Sequence, residues 1–151
     1  MKKILILTLA IGMVCALTGC KTEDDGPKNQ SATITGLFDN NASATIKGYL
    51  TDSEWKGVPE KIKTAFNAQF EGEVEGTQSV FRGVFNVVNV IIILEKNPSY
   101  ATYKTTRGVE GLTESKMYIN FGILNNTEAL KLALRAATRC MSGNSTVPEQ
   151  G

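Results

Sequence analysis

The chain contains no histidine among its 151 residues. That absence removes the commonest general base and the commonest metal ligand together, so serine-histidine, cysteine-histidine and histidine-zinc chemistries are excluded. Charge of one sign is also missing in excess: 16 basic residues stand against 15 acidic ones, for a formal net charge of +1. A balance this close lacks the basic surplus of nucleic-acid-binding surfaces, and no nucleic-acid partner is expected. No phosphate-cradling glycine loop, nucleophile elbow or carboxylate pair at a defined spacing occurs after the first twenty residues. These gaps point to a protein that is not an enzyme, with no catalytic residue, metal or cofactor.

What the sequence does carry begins at its start. Lys2 and Lys3 are followed by an apolar stretch from Ile4 to Ala16, the length of a signal-peptide core and too short to span a bilayer comfortably. Leu17-Thr18-Gly19-Cys20 then stands in the register of a processing site. This tetrapeptide resembles the lipobox of bacterial lipoproteins. The resemblance implies that residues 1–19 are removed and that the Cys20 sulfur receives a diacylglycerol group. Two or more acyl chains hold a protein firmly on a membrane, at about 0.8 kcal/mol per buried methylene. The expected partner is therefore the membrane itself, through acyl chains on Cys20, and the expected location is the bacterial cell envelope. Lys21 stands where an aspartate would direct retention in the inner membrane of enterobacteria, which favours the outer membrane.

With the signal gone, loss of Lys2 and Lys3 leaves 14 basic residues against the 15 acidic ones. Of three cysteines, Cys15 leaves with the signal, Cys20 carries lipid and only Cys140 keeps a thiol, so no internal disulfide is available. Residues 20–31, including Glu23-Asp24-Asp25-Gly26-Pro27, are polar and contain a Gly-Pro breaker, and they read as a flexible tether. One domain over 32–142 and a loose tail over 143–151 complete the expected organisation.

Within the domain, Ala32–Phe38 and Ala44–Leu50 read as strands around an Asp39-Asn40-Asn41 turn. Thr51 with Glu54 forms a capping-box pattern, and Trp55, Val58, Ile62, Phe66 and Phe70 recur at helical spacing. Glu71–Ser79 reads as a loop. Val80–Leu94 is rich in valine, isoleucine and phenylalanine and is expected to form a central strand. Tyr100–Thr106 and Lys116–Ile123 suggest an antiparallel pair joined by residues 107–115. Leu130, Ala133, Leu134, Ala137 and Met141 mark the buried face of a final helix. The expected architecture is α+β in the order ββαβββα, an antiparallel sheet of about five strands with two helices packed on one face. In general outline only, such a domain resembles small envelope lipoproteins with no assigned activity.

Candidate sites are few. Tyr100, Tyr103 and Tyr118, together with Tyr49 and Trp55, could supply aromatic platforms for a sugar or peptide, because tyrosine and tryptophan join an apolar body to a polar handle, although Trp55 also fits the helix stripe. Glu71, Glu73 and Glu75 alternate as calcium ligands on an extended chain would, but the glycines between them suit a solvated loop better. Lys104 and Arg107 make too small a cluster to define an anion site, and Cys140, on a hydrophobic helix with no histidine nearby, reads as an inert core thiol. The leading expectation is a lipid-anchored module that binds an envelope protein or polymer; the alternative is a small-ligand domain using the aromatic face.

Overall fold

In a computed structural model of the protein, the described residues are 26–39, 42–106 and 114–142. The signal segment, Cys20, tether residues 21–25, Asn40 and Asn41 of the anticipated turn, the 107–113 connection and the 143–151 tail lie outside them. No described helix is long and apolar enough to cross a membrane.

Strands β1 (Lys28–Leu37) and β2 (Ala42–Leu50) pair antiparallel, with Thr33 opposite Thr45 and Lys28 opposite Leu50. β1 thus starts four residues before the expected start of the domain at Ala32, and residues 28–31 belong to the sheet. Alternation fixes its register: Ala42, Ala44, Ile46 and Leu50 are buried on one face of β2, while Ser43, Lys47 and Tyr49 are exposed on the other.

Thr51 caps a single helical turn, α1 (Asp52–Trp55), its hydroxyl accepting from the Glu54 amide while the Glu54 carboxylate accepts from the Thr51 amide. Gly57, at φ 77°, then lets the chain turn into α2 (Val58–Glu71), whose first turn holds Pro59. The expected single helix is therefore two. Its apolar stripe holds: Val58, Ile62, Phe66 and Phe70 are buried, and Trp55 packs at the margin.

A second long helix, α3 (Glu75–Val87), occupies sequence expected to be loop and strand, and β3 is only Asn89–Glu95. Valine and phenylalanine content suggested β structure, yet Phe81, Val84, Phe85 and Val88 recur at helical spacing, and the first three are buried. Tertiary packing of that stripe outweighs the weak β preference of its residues.

β3 does lie at the centre of the sheet, whose strand order is β1-β2-β3-β5-β4, where β4 is Tyr103–Thr106 and β5 is Glu114–Asn120. Among the described residues the sheet has five strands, but it is mixed and not antiparallel. β3 runs parallel to both β2 and β5, and only the outer pairs are antiparallel. The helices between β2 and β3 make a crossover long enough for parallel pairing, and the single helix expected there was also compatible with it, although an antiparallel sheet had been expected. A short 3₁₀ turn (Phe121–Asn125) leads to α4 (Thr127–Ser142), which buries Leu130, Ala133, Leu134, Ala137 and Met141 as its periodicity requires. The fold is α+β, with α2, α3 and α4 as its principal helices.

The helices pack against Ile34, Ile46, Ile92, Leu94, Met117 and Ile119 on one sheet face. At the end of β1, Gly36, Phe38 and Asp39 take positive φ angles of 76°, 52° and 69°. Asn67 of α2 holds this hook by accepting from the Phe38 amide at 3.0 Å and donating to the Gly36 carbonyl at 3.3 Å. Phe38 is thereby driven between the two helices, among the rings of Phe66, Phe70, Phe81 and Phe85.

Candidate functional site

Placing the helices on one face leaves the opposite face of the sheet without a described helix over it. Strand register puts Ser31, Lys47, Ile93, Tyr118 and Lys104 in one row across this open face, and Thr33, Thr45, Ile91, Lys116 and Thr106 in the next. Ile91 and Ile93 are half-buried at its centre; Tyr49, at 61% accessibility, is its most exposed aromatic residue. A half-apolar strip rimmed by hydroxyls and ammonium groups can contact an apolar surface while offering hydrogen bonds and positive charge at its borders.

The lysines of this face stand outside the ion pairs of the described residues, as do Lys56, Lys61, Lys63 and Arg139 elsewhere. Lys28, Lys96 and Lys131 pair with Asp52, Glu54 and Glu128 at 3.3, 2.7 and 3.0 Å, and Arg82 with Asp39 at 3.1 Å. Lys47, Lys104 and Lys116 have no carboxylate partner among the described residues. Lys104 instead stands over the Tyr118 ring at 4.8 Å and the Tyr100 ring at 5.8 Å, a cation-π arrangement that holds its ammonium above the sheet.

Tyr100, Tyr103 and Tyr118 separate. Tyr118 lies on the open face. Tyr100 is buried beside it, where its hydroxyl donates to Glu95 at 2.5 Å; burial first, and then the neighbouring Glu95 carboxylate, push that phenol well above its ordinary range, so it stays protonated. Tyr103 turns to the helical side, is buried, and brings its hydroxyl within 3.8 Å of the Cys140 sulfur. Tyr49, one strand from Ile93, lies on the open face, where the strict alternation of β2 puts it.

At the end of the face nearest the start of β1 the surface dips into a broad hollow of about 1020 Å³, lined by Asn29, Lys47, Tyr49, Ile93, Glu95 and Lys96. It opens widely to solvent. Tyr100, Tyr103 and Tyr118 are absent from its walls.

The other sequence candidates do not converge. Among the described residues no cluster of three or more acidic or thiol side chains could hold a metal ion. Glu71 and Glu75 lie on the surface, while Glu73 turns inward to accept from Arg135 Nε at 2.6 Å and from Gln69. Burial pushes the Glu73 carboxyl up, but these hydrogen bonds, with the charges of Arg135 and Arg139, outweigh it and hold the group below its ordinary range. This contact joins the α2–α3 connection to α4. Arg107 lies outside the described residues. Cys140 is half-buried against the core.

No family model matches the chain, and no curated protein or solved structure matches it.

Proposed function

We propose that the protein is a lipid-anchored lipoprotein of the bacterial cell envelope, favouring the outer membrane, and that its domain binds an envelope protein or polymer without catalysing a reaction. The observation that carries the binding reading is the open sheet face, with a half-buried isoleucine centre and three lysines that have no carboxylate partner among the described residues. The lipobox at Leu17-Thr18-Gly19-Cys20 carries the anchor. The eight-residue separation of Cys20 from Lys28 spans at most about 28 Å, so an acylated Cys20 keeps the near end of the face close to the bilayer. Membrane confinement raises the effective concentration of any partner held on the same surface.

The second reading, a sugar- or peptide-binding domain, draws on the hollow beside Tyr49. Its width favours an extended partner over an enclosed small molecule, because small-ligand sites normally surround most of what they bind.

Capture from solubilised envelopes with the full chain tests the choice. Lys47→Glu combined with Tyr49→Ala changes two exposed side chains and is expected to shift stability by less than about 1 kcal/mol. Wild type is expected to retain a protein or polymer that this variant loses, while Lys61→Glu on the helical layer keeps it. Retention of the same partner by the face variant would overturn the assignment of the face. Failure to capture any macromolecule, with saturable binding of a short glycan or peptide that the face variant loses, would favour the second reading.

A further inference from the structure

We infer that the outer edge of β1 pairs with the same edge of a second copy of this chain, joining two five-stranded sheets through an antiparallel β1–β1 contact.

The two edges of the sheet are built differently. β4 is four residues long and carries Lys104, the short, charged form that discourages further pairing. β1 is ten residues long, contains no proline, and has no charged residue after Lys28 at its start. Its described packing neighbours are β2 on one side and α2 beneath its buried face. Among the described residues, no hydrogen bond other than the β2 ladder engages the backbone between Lys28 and Thr35. The irregularity between Ile34 and Leu37, where Gly36 takes φ 76°, interrupts the far end of the strand but leaves its pairing with β2 unbroken from Lys28 to Ile34. A ten-residue edge with alternate amides and carbonyls directed outward is a template for another strand.

A second copy fits this edge by its own composition. Two-fold antiparallel pairing centred within Ser31–Thr33 sets serine, threonine and alanine against one another on both faces, with no like charges opposed. Threonine and serine cross-strand pairs contribute roughly 0.2–1 kcal/mol each. The operation also closes, because each edge is satisfied by its twin and no further copy is recruited. Antiparallel pairing places the two chain starts at opposite ends of the shared ladder, from which both can reach one membrane. The inference is independent of what the open face binds; pairing would make the two open faces continuous.

Directly opposed residues in such a ladder have Cα atoms roughly 4.5–5.5 Å apart, within the range a disulfide bridges. The full chain carrying Cys140→Ser, and in turn Ser31→Cys, Ala32→Cys or Thr33→Cys, is expected to give a disulfide-linked dimer of twice the chain mass for at least one position under mild oxidation in the host envelope. The same background without a new cysteine, and with Lys47→Cys on the face or Thr106→Cys on the opposite edge, is expected to give at least ten-fold less. Adding Thr33→Pro to the best cross-linking variant, with the circular dichroism spectrum unchanged, should reduce the dimer at least ten-fold. Equal cross-linking at Lys47, absence of dimer at all three β1 positions, or cross-linking from β1 to a different protein in place of a second copy would each overturn the inference.

Discussion

Phe38→Ala is expected to reduce the free energy of unfolding by about 4 kcal/mol, in the range seen when a buried phenylalanine is truncated. Phe38 is fully buried, and its ring centroid lies 5.7, 5.0, 5.6 and 4.8 Å from those of Phe66, Phe70, Phe81 and Phe85. Edge-to-face and stacked geometries at these separations contribute beyond the burial of area. The ring ties the end of β1 to both α2 and α3, so its loss removes packing on each side of the cavity it would leave. Its backbone sits at φ 52°, a conformation an alanine tolerates no better, so the substitution gains nothing from relief of strain. Phe38→Leu, which keeps most of the volume, should lose clearly less. Denaturant titration of the full chain reads both changes, and a loss below about 1 kcal/mol for the alanine variant would contradict the cluster's role.

Arg135→Ala should cost about 2 kcal/mol at neutral pH and change how stability responds to acid. Glu73 accepts from Arg135, and its side chain is only 8% accessible. Removing the guanidinium leaves a covered carboxylate short of a partner, an expensive arrangement. The expected cost is below that of a deeply buried pair because Gly72 and Val74 on either side are exposed, leaving water a short path to the released carboxylate. In the wild type the folded-state pKa of Glu73 is depressed, so its contribution is fully present above the unfolded value of about 4.3. It is lost as pH falls from there through the folded pKa. Urea titrations at neutral pH and near pH 3 should therefore show a smaller acid loss for Glu73→Gln than for wild type, since the amide cannot take up that proton. Identical acid losses would contradict the assignment.

Those two clusters also show where sequence reading stops. The stripes Val58-Ile62-Phe66-Phe70 and Leu130-Ala133-Leu134-Ala137-Met141 were legible because a helix that buries one side must repeat its apolar residues every three or four positions. The Thr51–Glu54 cap was legible because both partners of its hydrogen bonds lie within one turn. α3 was not, because its valines suit a strand locally and only the partners of Phe81 and Phe85, supplied by β1 and α2, decide for a helix. The mixed sheet was not legible either: the long connection between β2 and β3 permits pairing in either direction, and only the neighbours that each strand takes decide between them. Of the candidate face, Tyr118 was legible by alternation. The opposite orientation of Tyr103, the burial of Tyr100 and the grouping of Lys47, Lys104 and Lys116 depend on strand order, which joins residues nearly seventy positions apart. The buried role of Glu73, set among glycines and two other glutamates, had no local signal at all.

The proposal that a membrane anchor presents this open face rests first on Cys20. Intact-mass measurement of the full chain and its Cys20→Ala variant, each recovered from bacterial envelopes, tests it most directly. The account predicts that the wild type loses residues 1–19 and gains the mass of two or more acyl chains on Cys20, and that the variant gains none. A wild-type chain recovered without acyl mass, or one cleaved elsewhere and freely soluble, would contradict it.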